Sequence, residues 1–438
     1  MISFVPPPHL LDSPRGRDWP RLPEATAPGR NPQPPGTADV VIVGAGPAGL
    51  AVASALWHRG ITDIVLLDRE IRPCARFFRR IDTLRQRILR SPYEHHPGVE
   101  GFRDCELVDF ARLHWALLTP IERNEIRMSQ AGHRSVVPVD VFEAYCDHLI
   151  ASHHVAQRCW QAEVRAVVPA ADGVTVRIDG ATIRARTVVL CAGEERTAAP
   201  DTWFGERGVP ANVSYWDEAV PAGAGRLTVI GAGLTAAHLV STGLAAGRRV
   251  SWVVRESSER YQCADVNSTF FRPEGRARFD SVGWTDRLAL MGQYRRASIM
   301  FEFRPGFEAA EAEGRLTVLR GQPVTAIRAG TGGTTSVVLG DGSSVAADQI
   351  KLAIGTTPML GGLLMAPEFA GLHDGWPDLD ERTLAYRNAP RVFAVGAAAG
   401  MVLGPAARNI DGHRFATARV AAAVQATLGA SDRTAAYV

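Results

Sequence analysis

Lysine is almost missing from this chain. Of its 48 basic residues all but Lys351 are arginine, and alanine and glycine abound, as a GC-rich coding bias would produce, so a single arginine carries little positional signal. Net charge is equally sparse. A balance of +2 over 438 residues argues against wholesale nucleic-acid binding and strong electrostatic attraction to membranes. Cysteine is scarce as well: Cys74, Cys105, Cys146, Cys159, Cys191 and Cys263 are scattered and form no C-x-x-C pair. That spacing suits neither a disulfide scaffold nor a zinc site, and reduced thiols in a cytosol are expected. Long apolar runs are rare. Residues 40–57 are uncharged for 18 positions, the lower limit for a membrane span, but three glycines and Pro47 would make a poor continuous helix. No basic-then-apolar leader pattern is seen, so a cytoplasmic protein without a membrane span is expected.

What is present begins at residue 40 with VVIVGAGPAGLAVASALWHRGITDIVLLD. Four apolar residues suit a buried parallel strand, and Gly44, Gly46 and Gly49 make a G-x-G-x-x-G turn that includes Pro47 and Ala48. Leu50, Ala51, Ala53, Leu56 and Trp57 then give a helical stripe, and a second strand ends in Asp68, beside Arg69 and 24 residues after Gly44. Each part has a physical role. The first glycine permits the tight turn, the second lets backbone N–H groups approach a pyrophosphate, and the third lets helix and strand pack closely. The helix N-terminus favours phosphate, and Asp68 can accept hydrogen bonds from a ribose diol.

The pattern recurs at residue 227. Leu227-Thr-Val-Ile230 reads as a strand, Gly231-Ala-Gly233-Leu234-Thr235-Ala236 as the turn, and 237–246 as helix, before a strand 250–254 that ends at Arg255. Ala236 replaces the third glycine, a change that packing there tolerates. The strand ends differ in charge. An acidic end suits a free ribose hydroxyl and repels a 2′-phosphate, whereas Arg255 can pair with one. The two sites thus read as one for FAD and one for NADPH; an ordinary surface arginine is the competing reading of Arg255.

Around these units lie a Pro-rich arm (1–36), a mainly helical segment (76–160) and β-rich stretches from 163 to 193 and 316 to 355. An Arg-Val-Phe-Ala-Val-Gly strand ends at Gly396, and an alanine-rich helix follows over 410–428. Residues 256–321 read as irregular and aromatic-rich. The expected fold class is α/β, with two Rossmann-like dinucleotide-binding domains. The FAD domain takes residues 37–222 and 325–438, and the NADPH domain is inserted at 223–324.

Two Rossmann turns, each later returning to a strand that ends in small residue plus glycine (Gly193, Gly355), and the closing strand to Gly396 resemble the two-dinucleotide-binding-domain flavoproteins. The resemblance covers most of residues 38–428. It implies FAD at Gly44, Gly46, Gly49 and Asp68, with Gly193, Gly355 and Gly396 at linker or isoalloxazine-side turns, and NADPH at Gly231, Gly233, Ala236 and Arg255. Within this group the disulfide reductases need a redox dithiol beside the flavin, and tend to follow the last strand with Gly-Asp; here Gly396 is followed by Ala397. The flavin monooxygenases fit better. In them NADPH reduces the flavin, O2 adds to give a C4a-(hydro)peroxyflavin, and the protein positions substrate and excludes water. The segment DVNSTFFRP at 265–273 is similar to the Asn-Glu-x-Phe-x-Pro segment of lysine and ornithine N-hydroxylases, without its Glu and with one residue extra. The F-x-G-x-x-x-H motif of other monooxygenase branches has no match at 209–216.

Catalytic candidates follow from position. Asn267 can hydrogen-bond substrate or the nicotinamide amide, or serve as a turn residue. Asn409 and His413 lie between the Gly396 strand and the last helix, where this family turns a helix N-terminus toward the flavin; the competing reading makes Asn409 or Asp411 an N-cap. The Arg90-Ser-Pro-Tyr-Glu-His95-His96 loop falls where related enzymes bring a loop to the flavin. Its adjacent histidines point apart and lack a third ligand, so no metal is expected. The resemblance implies an FAD-dependent, NADPH- and O2-using monooxygenase N-hydroxylating a small amine. An NADPH-dependent flavin or quinone reductase and a non-catalytic redox-sensing FAD/NADPH-binding protein are the alternatives. Substrate and oligomeric state are not legible.

Overall fold

A computed structural model describes residues 11–22, 33–98, 106–219, 225–330 and 333–435. Parts of the Pro-rich arm, Cys105 and the expected boundary at 222/223 lie outside the described residues.

Two mainly parallel sheets carry the chain. In the first, β1 (Thr37–Val43) lies between β2 (Ile64–Asp68) and β3 (Ala181–Leu190), with Val41 opposite both Val65 and Val188. Val40, Val41 and Ile42 are fully buried, as expected of a strand covered on both faces. Helix α1 (Pro47–Trp57) has little amphipathic contrast because it is covered on both sides. The antiparallel pair Val164–Ala170 and Gly173–Ile178 runs into the front half of β3.

The second sheet is parallel throughout. Its order is Val213–Tyr215, then β6 (Gln349–Leu352), β4 (Arg226–Ile230), β5 (Arg249–Val254) and Leu316–Arg320, with α2 (Leu234–Ala245) between β4 and β5. This moves the expected boundaries. Val213–Tyr215 and β6 flank residues 223–324 yet hydrogen-bond within the inserted sheet, so that unit is wider than the sequence suggested. Two short antiparallel strands, Glu194–Arg196 and Thr356–Pro358, form the ribbon where the chain leaves and re-enters the first unit. After it, β7 (Ala389–Ala394) joins β3 and the long helix α3 (Ile410–Ala435) packs over α1.

The stretch expected to be irregular holds three short helices, Pro273–Ser281, Trp284–Tyr294 and Arg304–Ala312. Proline stands in the first turn of the first and third and Gly283 separates the first from the second, so these helices of nine to eleven residues are punctuated by residues that read as breaks. The described part of the N-terminal arm is pinned to the first unit. Trp19 donates its indole N–H to Asp140 at 2.7 Å, and Arg17 pairs with buried Glu122. Lys351 is fully buried in β6. Its ammonium donates to the carbonyls of Tyr215 (3.1 Å), Glu218 (2.8 Å) and Ala219 (3.2 Å), and burial lowers its pKa to about 8. Among the described residues no helix is long and apolar enough to cross a membrane.

Burial also holds several imidazoles neutral. The pKa of His238 is lowered to about 3, and those of His96, His153 and His413 to about 4, chiefly by desolvation. Because these folded values lie below the ordinary 6.5, the stability they contribute is complete above pH 6.5 and is lost as pH falls toward 4. Each histidine then costs up to about 1.4 kcal/mol per pH unit. Urea midpoints should fall steeply between pH 6.5 and 4.5. His238→Leu, which removes the ring packed edge-on against Phe303, should flatten that slope by about one proton, and an unchanged slope would refute the assignment.

Candidate active site

The first turn is built by backbone crowding. Gly44 has φ +99°, and a Cβ there would run into the carbonyl of Cys191, just past the end of β3. A Cβ on Gly49 would strike the Gly44 carbonyl. Gly46 differs: its Cβ would meet nothing within 4 Å, so it faces open space at the start of α1, where a pyrophosphate would rest on the helix N-terminus. Pro47 and Ala48 open that helix. Asp68 Oδ2 accepts from Ala45 N at 2.7 Å and Oδ1 from Glu70 N at 2.9 Å, which fixes the carboxylate beside the turn. Arg69 reaches outward toward Glu163 and Glu195.

The second turn repeats the geometry. Gly231 has φ +137° and is pressed against the Ala353 carbonyl, Gly233 faces open space, and Ala236 is fully buried where helix meets strand. Leu234 and Thr235 form the first turn of α2. Arg255 sits at the end of β5 with its side chain 81 % exposed, 3.7 Å from Glu256. These glycines fit two dinucleotides: each turn is tight where backbone packs and open where phosphate would lie.

From the second turn a cleft of about 810 Å³ runs inward. It passes Gly231, Gly233, Leu234, Thr235 and Arg255, then Gly355 and Thr356, and reaches Asp265, Arg295, Ser298 and Arg408. Its floor is charged. Arg408 pairs through both ends of its guanidinium with Glu194 and also donates to Thr356. Arg295 donates to Asn409 Oδ1 and lies 3.8 Å from Asp265. Arg90, buried, donates to Asp265 Oδ1 (2.8 Å), the Gln262 carbonyl (2.8 Å) and Ser298. Burial opposes ionisation of Asp265, yet Arg295 and Arg90 outweigh it and hold the carboxyl below its ordinary range. Burial likewise opposes ionisation of Glu194, and Arg408 overcomes it. Three guanidiniums against two carboxylates leave the floor with a net positive charge.

The sequence candidates separate here. Asn409 belongs to the floor through Arg295. His413 lies one helical turn on, near Gly396, with its Nδ1 buried and unpartnered. Gly193 (φ +70°) and Gly355 (φ +98°) flank the crossover ribbon, the linker position. Asn267 is not brought to the cleft. Its Oδ1 accepts from Thr269 N at 3.0 Å and caps the 3-10 turn Ser268–Phe271, which is the turn-residue alternative. The loop after Arg90 packs against the start of α3, where His95 stands 3.6 Å from Asp411 and Arg414 donates to the Glu94 carbonyl. Glu194, Arg295 and Ser298 were not singled out from the sequence. Glu194 directly follows Gly193, which was a usable signal; the arginine had none in so Arg-rich a chain.

Residues 41–195 match the family described as FAD-NAD(P)-binding. No curated protein sequence matches the chain. Among solved structures, ornithine hydroxylase from Pseudomonas aeruginosa is 16% identical with a TM-score of 0.69, over 90% of this chain and 100% of that one. Ornithine N-hydroxylase from Kutzneria sp. 744 is 17% identical with a TM-score of 0.64, over 89% and 99%. Bacillithiol disulfide reductase from Staphylococcus aureus is 15% identical with a TM-score of 0.59, over 89% and 98%. The chain therefore shares the fold of these three enzymes.

The two kinds of glycine predict different failures. Gly46→Ala should melt within a degree or two of wild type but lose flavin affinity by about ten-fold or more, since its Cβ would stand where phosphate must approach. Gly44→Ala should lose both, because a positive φ costs an L-residue roughly 1–2 kcal/mol before any clash. Flavin stoichiometry and melting temperature test both; full flavin retention in Gly46→Ala would refute the assigned site.

Proposed function

We propose that this protein is an FAD-dependent monooxygenase that uses NADPH and O2 to hydroxylate the nitrogen of a small amine. The carrying observation is the cleft that joins the Gly231–Arg255 turn to the charged floor at Asp265, Arg295 and Arg408 and, among the described residues, is lined by no cysteine. A dithiol reductase needs a thiol pair there; Cys74, Cys146 and Cys191 are buried in the first unit, and Cys263, exposed two residues before Asp265, is a single thiol. The ornithine N-hydroxylases among the structural neighbours support the same reading.

In it, Gly44, Gly46, Pro47, Ala48, Gly49, Asp68 and Arg69 hold FAD, and Gly231, Gly233, Leu234, Thr235, Ala236 and Arg255 hold NADPH. Flavin and NADPH held there would supply the redox chemistry. The chain supplies position and dryness. Arg295 orients Asn409, Arg90 and Arg295 fix Asp265, and the Arg408–Glu194–Thr356 lattice closes the floor beside the ribbon. His413, kept neutral by burial, offers a proton acceptor rather than a second positive charge. A second reading, an NADPH-dependent reductase without a redox disulfide, is favoured by the likeness to a disulfide reductase.

A panel of amines and amino acids, assayed for substrate-dependent NADPH oxidation and for product heavier by one oxygen atom, separates the two. Oxidised product with one member supports the monooxygenase. NADPH oxidation stimulated by a quinone alone, with no oxygenated amine, overturns it. Arg255→Ala should lower kcat/KM for NADPH about ten- to hundred-fold, the worth of one to two charge-assisted hydrogen bonds, and leave NADH nearly unchanged. Equal losses with both cofactors would remove Arg255 from its assigned role.

A further inference from the structure

Besides the Arg90 contacts on the cleft floor, the inserted unit grips the first unit at a second place. Helices Pro273–Ser281 and Trp284–Tyr294 lie against the segment that follows β7, in an apolar cluster that includes Val266, Phe270, Phe279, Leu290, Met401 and Ala406. Arginines from both helices reach through this contact to backbone carbonyls. Arg276 donates to Leu403 O and Val402 O, each at 3.0 Å, and Arg287 donates to Met401 O at 3.0 Å. Three consecutive carbonyls of the short helix Gly400–Leu403 are thus taken by two side chains of the other unit.

The guanidiniums are organised before they reach across. Both lie over the ring of Phe279, fully buried, with Arg276 5.9 Å and Arg287 5.5 Å from its centroid, an arrangement that favours fixed cations. Arg276 Nε is held by Asp280 at 2.9 Å, and Arg287 Nη2 donates to the Asp280 carbonyl at 3.1 Å. The gripped helix ends at Gly404 (φ +77°), where a Cβ would collide with the Phe270 ring. Directly beyond it come Arg408, on the floor of the cleft, and Asn409, which accepts from Arg295 of the same inserted unit.

We propose that Arg276 and Arg287 are positioning residues: by fixing carbonyls 401–403 they set segment 404–409, and through it Arg408 and Asn409, in register with the nicotinamide-binding unit. They touch neither the cleft nor a dinucleotide turn and act only through that segment. The consequence for the reaction rests on the monooxygenase reading; the positional claim does not. A planar fork is required, because Arg276 serves two carbonyls from two nitrogens and a lysine ammonium cannot span them with the same geometry.

The test uses the full-length, flavin-loaded protein with Arg276→Met, Arg287→Met and the conservative Arg276→Lys, beside Arg304→Ala as a control, whose guanidinium donates to its helical neighbour Glu308 and lies over the Tyr261 ring, away from segment 400–409. Amide hydrogen exchange of peptides covering 400–409 should speed up about ten-fold in the Met variants, as loss of a hydrogen bond worth about 1.4 kcal/mol implies. Peptides covering 40–49 should not change, Arg304→Ala should match wild type, and Arg276→Lys should restore only part of the protection. Where the wild type turns over an amine, peroxide released per NADPH should rise at least two-fold in the Met variants with KM for NADPH unchanged. Wild-type exchange at 400–409 in a folded variant overturns the proposal whatever the activity does. If one Met variant fails to fold, Arg276→Lys still decides, since full protection in it denies the need for a fork. Absence of turnover in wild type with faster exchange in the variants would count against the monooxygenase and for the clamp.

Discussion

The structure depends on a contact between a glycine and a carbonyl oxygen, made twice. Gly44 is pressed against the Cys191 carbonyl and Gly231 against that of Ala353. In each case the carbonyl lies at the end of a strand that returns from a distant part of the chain, and two residues later another glycine, Gly193 or Gly355, turns the backbone out of the sheet. Any side chain at the first glycine would push the returning strand away and move the point where the chain crosses between units. The dinucleotide turns and the crossover ribbon are therefore one construction. The glycine that shapes each turn also fixes where the chain crosses between units.

That coupling explains what was legible. The strand–turn–helix pattern at 40–57 and 227–245 is local, so apolar runs and glycine spacing sufficed to locate both units and tell their acidic and basic ends apart. The limits of the inserted unit were not local. Gln349–Leu352 reads like any buried strand, and only its pairing with Leu227–Ile230 assigns it to the second sheet. Three short helices between 273 and 312 were hidden for a different reason: each has only nine to eleven residues and starts at a proline or just after a glycine, so the stretch reads as breaks rather than as helix.

The candidate site was half legible. Asn409 and His413 were singled out because they lie between two recognisable elements, and Arg295 joins the first of them to the cleft floor. Asn267 was singled out through a motif likeness, and its side chain serves the local turn instead. The floor of the cleft was the blind spot. Arg90, Arg295 and Arg408 come from three separated segments and are brought together by facing Asp265 and Glu194, which no linear pattern encodes. An arginine-rich composition conceals its own functional members, because the residue type that does the work is also the background.

The near absence of lysine has an outcome of its own. The single side-chain amine in the chain is occupied by three backbone carbonyls inside the second sheet. A native surface without lysine gives acylating reagents and side-chain amine crosslinkers no target on the folded body. Lys351 becomes available only when β6 parts from Val213–Tyr215 and the residues after it, so its rate of modification measures the opening of that sheet edge. The chain thus carries a built-in reporter of the inserted unit's integrity, silent while the sheet is closed.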